Sequence, residues 1–358
     1  MDTPTYLRVT VFTGFLYLFL VSISLLSTSF ELLGGDFAQQ LLLKAQNPFL
    51  GLFVGILATS IIQSSSAVTS IAVGLAAGGA LDVQTAIPII MGSNVGTTVT
   101  NTLVAAGHIN KPTEFRRAFS AATLDDVFNL LAISILFPIQ LYTNFLGAGS
   151  SLLTQGLVKV GGLELINPLK TVIDPAVGLV VQLSGRSGAI VMMLAIILLF
   201  VSLRQMVHFL KSLVVGKVEK FFDETMFKSA ATAFVLGLTC TVLVQSSSIT
   251  TSLIVPLAGA GFLSLVQVFP YVLGANIGTT VTAILAALVT GEEVAVTVAF
   301  AHLLFNICGM ILIWPFKRIP IALSAILAEY TLRSRLVPLL YILVVFFIIP
   351  LALIYLVR

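Results

Sequence analysis

Charge is what this sequence has least of. Lys, Arg, Asp and Glu make up 9% of its 358 residues, against 58% hydrophobic ones. Soluble domains carry about 25% charged residues, so this chain is not hydrated over most of its surface. Cysteine is also scarce: Cys240 and Cys308 are the only two, and both sit in apolar stretches. That argues against a disulfide framework and against a thiolate metal site. The glycines lack the Lys-Ser/Thr tail of a P-loop, Gly-x-Ser-x-Gly does not occur, and His302 has no acid near it in sequence. An enzyme and a nucleotide-driven pump are therefore not expected. The net charge of +3 gives no reason to invoke nucleic acid. Short alternating strands of the β-barrel kind are missing too. What remains are continuous apolar runs of helix-spanning length and a mean hydropathy of +1.10. The expectation is an all-α polytopic membrane protein, whose partner is the lipid bilayer.

Polar residues are concentrated in two places. Gln63-Ser64-Ser65-Ser66 returns as Gln245-Ser246-Ser247-Ser248, and 31 residues after each Gln comes an Asn-x-Gly-Thr-Thr run: Asn94 to Thr98, then Asn276 to Thr280. Both pairs share an offset of 182, so 55–106 aligns with 237–288 without a gap. The chain holds two copies of one unit, which is how many membrane transporters build a central site from two halves.

The chain divides accordingly. Residues 1–44 hold an N-terminal segment and a first span over Val9–Leu33, too long for a signal peptide. Residues 45–140 form repeat 1, with a re-entrant hairpin at 49–80 and spans at 85–106 and 118–138. Residues 141–228 hold an extramembrane loop with a short amphipathic helix, read over 140–185, then a span at 187–203 and an amphipathic interfacial helix from Arg204 to Lys228. Residues 229–318 form repeat 2, with a hairpin at 230–262 and spans at 266–289 and 294–316. Residues 319–358 hold the C-terminal helices. The loop after the first Asn-x-Gly-Thr-Thr span carries Lys111, Arg116 and Arg117, and its counterpart carries Glu292 and Glu293. Basic loops favour the cytoplasm, so the two loops are expected on opposite faces. The fold expected is two inverted-topology repeats, each with a re-entrant helical hairpin and discontinuous helices.

Inside a bilayer an unsatisfied polar group costs several kcal/mol, on the order of 2–7. The Ser, Thr, Gln and Asn side chains must therefore meet one another, a ligand or water. Helix N-termini favour anions, whereas hydroxyl, amide and unwound carbonyl oxygens suit hard cations such as Na⁺. Packing alone asks for small residues, but not for Gln, three hydroxyls and Asn repeated in register. The doubled cluster therefore reads as a binding site. Asp125 and Asp126 are a second signal, because intramembrane carboxylates are functional by default. Taking Phe128-Asn129 against Phe305-Asn306 as the anchor, their repeat 2 counterparts are His302 and Leu303.

These residues, with Phe115-Arg116-Arg117-Ala118-Phe119 and Ala301-His302-Leu303-Leu304-Phe305-Asn306, resemble the type II sodium–phosphate cotransporters over about 45–320. The resemblance implies Na⁺-driven symport of inorganic phosphate by alternating access, with Na⁺ as coupling ion and no other cofactor. Carried over, Ser64, Ser65, Ser66, Asn94, Ser246, Ser247, Ser248 and Asn276 are the phosphate-binding set, with Ser65 and Ser247 foremost. Gln63, Thr97, Thr98, Gln245, Thr279, Thr280 and Asp126 are the sodium-binding set. In animal relatives a His-Asp pair precedes Phe-Phe-Asn, and that Asp accompanies electrogenic transport through an additional Na⁺. Here Asp126 takes the position of the Asp and Asp125 replaces the His. The chain also lacks the long Cys-containing loop of animal members, as a bacterial, unglycosylated protein of the inner cell membrane would. A passive channel filtered by the paired motifs, symport of another small anion and homo-oligomerisation all stay open at this point.

Overall fold

The computed structural model describes residues 5–33, 47–159, 167–221, 227, 229–334 and 336–357. The side chains of Thr98 and of most residues over 204–221 lie outside that description. The described residues are helical almost throughout, with no strand among them. This follows from the solvent: lipid offers no hydrogen bonds, so each segment must satisfy its own backbone.

The chain opens with α1 (Thr5–Leu33). Repeat 1 supplies α2 (Pro48–Ile62), α3 (Ser65–Ala77), α4 (Val83–Ser93), α5 (Thr98–Ala106) and α6 (Pro112–Thr143). Three helices follow: α7 (Phe145–Lys159), α8 (Asn167–Leu183) and α9 (Gly188–Phe221). Repeat 2 supplies α10 (Ala230–Val244), α11 (Ser247–Ala260), α12 (Leu265–Thr290) and α13 (Glu293–Ile313). The chain then forms α14 (Arg318–Glu329) and α15 (Val337–Leu343), which a π-turn over Val344–Ile348 joins to α16 (Ile349–Val357). Helix starts are set locally. Asn47 accepts from Phe49 N at 3.0 Å ahead of Pro48, and Ser229 and Thr232 form a capping box on α10.

Among the described residues, four helical segments are long and apolar enough to cross a membrane: Pro112–Thr143, Leu265–Thr290, Glu293–Phe316 and Val337–Leu356. At three places the helices depart from the sequence expectation. The span expected over 85–106 is broken between α4 and α5 by turns over Asn94–Thr97, whereas its repeat 2 counterpart α12 runs unbroken. Residues 140–185 are mostly helical, not a loop: Pro168 sits in the first turn of α8, where its missing N–H costs nothing. The span at 187–203 and the interfacial helix expected from 204 are one helix, α9, because neither proline nor a glycine pair interrupts 189–215. The side chains needed to judge an amphipathic face from 206 onward lie outside the described residues, as do 222–226 and Lys228. Helix α14 has 12 residues, about 18 Å at 1.5 Å per residue, and is too short to span.

Within each repeat one pair of helices packs backbone to backbone. A Cβ on Gly55 would overlap the Ile89 carbonyl, and one on Gly92 the Leu52 carbonyl, so α2 and α4 touch through glycines. Gly237 against Tyr271 and Gly274 against Phe234 repeat the contact between α10 and α12, at the same offset of 182. Two large apolar cores result, beside a smaller cluster around Phe115, Phe119 and Val255. One gathers α1, α3 and α9 with the last turns of α12; the other gathers α2, α4, α6 and α10 with its first turns. The polar stretch Asn276–Thr282 lies between them on α12.

Equivalent turns of the two repeats sit at opposite ends of α6. A cleft of about 530 Å³ brings Asp82, Gln84 and Thr85 against Gln140 and Asn144 at the C-terminal end. Another of about 430 Å³ brings Gly261, Ser264 and Leu265 against Arg116, Arg117 and Ser120 near the N-terminal end. Helix α6 has 32 residues and is about 48 Å long, so the two turns are a membrane thickness apart.

Candidate functional site

Each Gln-Ser-Ser-Ser motif breaks a helix, and both copies break it in the same way. Helix α2 ends at Gln63 with φ 59° and ψ 28°; α10 ends at Gln245 with φ 56° and ψ 25°. A left-handed residue other than glycine costs about 1–2 kcal/mol, so something must hold it. The glutamine side chains do. Gln63 Nε2 donates to the Ser60 carbonyl, and Gln245 Nε2 to that of Val242 at 2.6 Å. Gln63 Oε1 accepts from Thr100 N at 3.2 Å and Thr100 Oγ1 at 3.0 Å. Gln245 Oε1 accepts from Thr282 Oγ1 at 2.6 Å.

After the break the first serine of each motif is extended and caps the next helix. Ser64 Oγ accepts from Ala67 N at 3.2 Å, and Ser246 Oγ from Ile249 N at 3.5 Å. Both helix starts, with their outward backbone N–H groups, meet at one cavity of about 370 Å³. It is lined by Ile62, Gln63, Ser64, Ala67 and Thr100 from repeat 1 and by Gln245, Ser246, Ser248 and Ile249 from repeat 2. Phe200 and Leu203 of α9 complete its lining. Ser66 Oγ donates to the Gln245 carbonyl at 3.2 Å and ties one break to the other. Among the described residues no Lys or Arg lines the cavity, and the two helix N-termini are its groups that favour an anion.

The other expected site residues divide. Ser65 and Ser247, expected foremost as phosphate donors, are buried at the first helical position and do not line the cavity. Asn94 and Asn276 do not line it either; they lie at the junction between the repeats. Asn94 Oδ1 meets His302 Nε2 at 3.2 Å and Asn306 Nδ2 at 3.5 Å. Asn276 Nδ2 donates to Asp125 Oδ1 at 2.7 Å, and Asn129 Nδ2 donates to the same oxygen at 2.9 Å. Each repeat's Asn therefore reaches the other repeat's Asp125 or His302. Thr97 is buried without a side-chain hydrogen bond, whereas Thr279 and Thr280 donate to the carbonyls of Ala275 and Ile277. The Thr98 side chain lies outside the described residues. Asp126 points away from Asn276, toward the C-terminal helices. Its Oδ2 accepts from Tyr341 Oη at 3.3 Å, and its Oδ1 has no partner among the described residues.

Sequence reasoning passed over Thr100 and Thr282, which hold the glutamines, and Thr59 and Thr241, one helical turn before them. All four are identical at the 182 offset, and that was the signal available. It also passed over Asn101, which donates to Thr251 Oγ1 at 2.9 Å and has Ala283 as counterpart.

With this geometry in hand, known proteins can be compared. The sequence model of the Na+/Pi-cotransporter family matches residues 18–167 and 198–349. Sodium-dependent phosphate transport protein 2A of Ovis aries is 34% identical over 429 aligned residues, covering 97% of this chain and 67% of that protein. Sodium-dependent phosphate transport protein 2B of Homo sapiens is 30% identical, covering 96% of this chain and 64% of that protein. No solved structure matches the chain. The family model spans both helix breaks, both Asn-x-Gly-Thr-Thr segments and the Asp125 and His302 junctions between them. The chain belongs to the Na+/Pi-cotransporter family.

Proposed function

We propose that this protein carries out sodium-coupled symport of inorganic phosphate by alternating access, through one cavity shared by its two repeats. One observation carries the reading: Ser64 and Ser246 cap two helices whose N-termini face the same cavity. Phosphate is held by serine hydroxyls and by helix-end N–H groups, which favour anions. With no Lys or Arg among the described lining residues, Na⁺ supplies the compensating positive charge in a low-dielectric site. Glutamine and threonine oxygens around the breaks are its ligand class, and Asp126 adds a carboxylate for a further Na⁺. A cycle with net positive charge is then driven by voltage as well, by about 2.3 kcal/mol per charge per 100 mV. The opposite placement of the equivalent turns along α6 supports inverted repeats, and the helix breaks support hairpins that re-enter the membrane. A bacterial inner membrane is the proposed location.

Uptake of labelled phosphate into proteoliposomes tests the reading. An inward Na⁺ gradient should drive accumulation above the external concentration, and K⁺ in its place should abolish it. Equal uptake in K⁺ would mean a passive channel, and Na⁺-driven uptake of sulfate or a carboxylate in place of phosphate would mean a different anion.

A further inference from the structure

Two threonines carry an inference that deepens, and rests on, the sodium-coupled reading. Thr59 and Thr241 sit one turn before the motif glutamines, and each carbonyl accepts from its Gln N at 2.7 Å. Both residues are fully buried. Both hydroxyl oxygens lack any hydrogen-bond partner among the described residues.

That is unlike several other buried helical threonines; Ser70 and Thr102 are also unpaired, but their counterparts at the 182 offset, Ser252 and Ile284, do not repeat the arrangement. A threonine inside a helix can return its hydroxyl to the carbonyl four residues back. Thr69 does so to Ser65 O at 2.9 Å, Thr123 to Phe119 O at 3.0 Å and Thr251 to Ser247 O at 2.8 Å. A buried hydroxyl left unpaired lowers stability, and here the arrangement occurs twice, at positions 182 apart. A packing accident has no reason to follow the sequence repeat.

Their surroundings point to a cation. A Cβ on Gly96 would lie 2.7 Å from Thr59 Cβ, and one on Gly278 2.7 Å from Thr241 Cβ. Each threonine thus touches the Asn-x-Gly-Thr-Thr segment of its own repeat while bonding the glutamine at the helix break. Hydroxyl, amide and carbonyl oxygens are the donors at hand, with no basic group among them, and these suit a hard cation. Neither threonine lines the cavity faced by Ser64, Ser246 and Ser248, which argues against a direct bond to the anion.

We propose that Thr59 and Thr241 are sodium ligands, one in each repeat, binding through Oγ1 between the helix break and the Asn-x-Gly-Thr-Thr segment.

Valine keeps the shape of threonine and removes the oxygen. Thr59→Val and Thr241→Val should unfold in K⁺ at or above the wild-type Tm, because an unpaired hydroxyl is gone. Titration with Na⁺ should then raise Tm less than in wild type. The Na⁺ half-saturation of phosphate uptake should rise about tenfold, the scale of one lost contact to a charged group. At saturating Na⁺ the phosphate KM should stay at the wild-type value. Thr→Ser at either position returns the hydroxyl and should restore the Na⁺ response. If a valine variant does not fold, Thr→Ala in the same assays carries the same expectation. A wild-type Na⁺ response in the hydroxyl-free variants, or a raised phosphate KM at saturating Na⁺, overturns the proposal. Wild-type protein that accumulates phosphate equally well in K⁺ overturns the sodium-coupled reading itself; the variants alone cannot do that.

Discussion

Repeat 1 and repeat 2 are the same device at the helix break and different devices one layer out. At the break, the backbone angles of Gln63 and Gln245 agree within a few degrees, as do the serine caps that follow. Beyond it the likeness stops. Asn94 ends a helix and Asn276 lies inside one. Asn94 meets an imidazole ring and an amide, whereas Asn276 donates to the carboxylate of Asp125. The lesson is a division of labour. The shared geometry of the duplicated breaks builds one cavity from both repeats, and the unmatched residues around it can make binding of ions and the direction of movement unequal.

That comparison can be broken in several ways. The largest effect is expected where the repeats are most alike. Gly92→Ala and Gly274→Ala each drive a methyl into a carbonyl of the facing helix, an overpacking cost of about 1–3 kcal/mol or more. Both should sharply reduce the yield of folded protein in a size-exclusion assay; loss in one repeat alone would deny the shared scaffold. Next comes the junction. Asn276→Ala removes a bond to a charged group, about 1.5–3 kcal/mol, and Asn94→Ala a neutral one, about 0.5–1.5 kcal/mol. Thermal unfolding in detergent should show the Asn276 variant the less stable, and the reverse order would contradict the assignment. The smallest difference lies at the glutamine clamps. Thr282→Val removes the one threonine bond to Gln245 Oε1, whereas Thr100→Val leaves the Thr100 N–H on Gln63. Uptake rates should fall further in the Thr282 variant, by a factor set by about 1 kcal/mol.

Much of this was legible in the sequence because duplication made it so. The breaks at Gln63 and Gln245, and the pairing of the two serine runs across one cavity, follow from motifs that recur in register. The break over Asn94–Thr97 was not legible, since α12 carries the same Asn-x-Gly-Thr-Thr letters unbroken, and local propensity does not record the difference. Residues 140–185 misled for another reason. Asn-Pro and Asp-Pro read as loop punctuation, but Pro168 stands in the first turn of α8, where proline is compatible with helix, and Pro175 is accommodated inside it. The directions of Asp125 and Asp126 follow from their spacing on α6, about 100° apart, yet which one meets Asn276 depends on how α6 packs against α12 and the C-terminal helices.

The most direct test of the central claim asks whether both breaks face one occupied space. Ser64→Cys and Ser246→Cys, each made singly in a background with Cys240 and Cys308 replaced by serine, report on the cavity from its two sides. The account predicts that phosphate together with Na⁺ slows modification by a small thiol reagent at both positions over the same concentration range, and that phosphate with K⁺ slows neither. Protection at one position alone, or at both without Na⁺, would contradict a single sodium-dependent site shared by the two repeats.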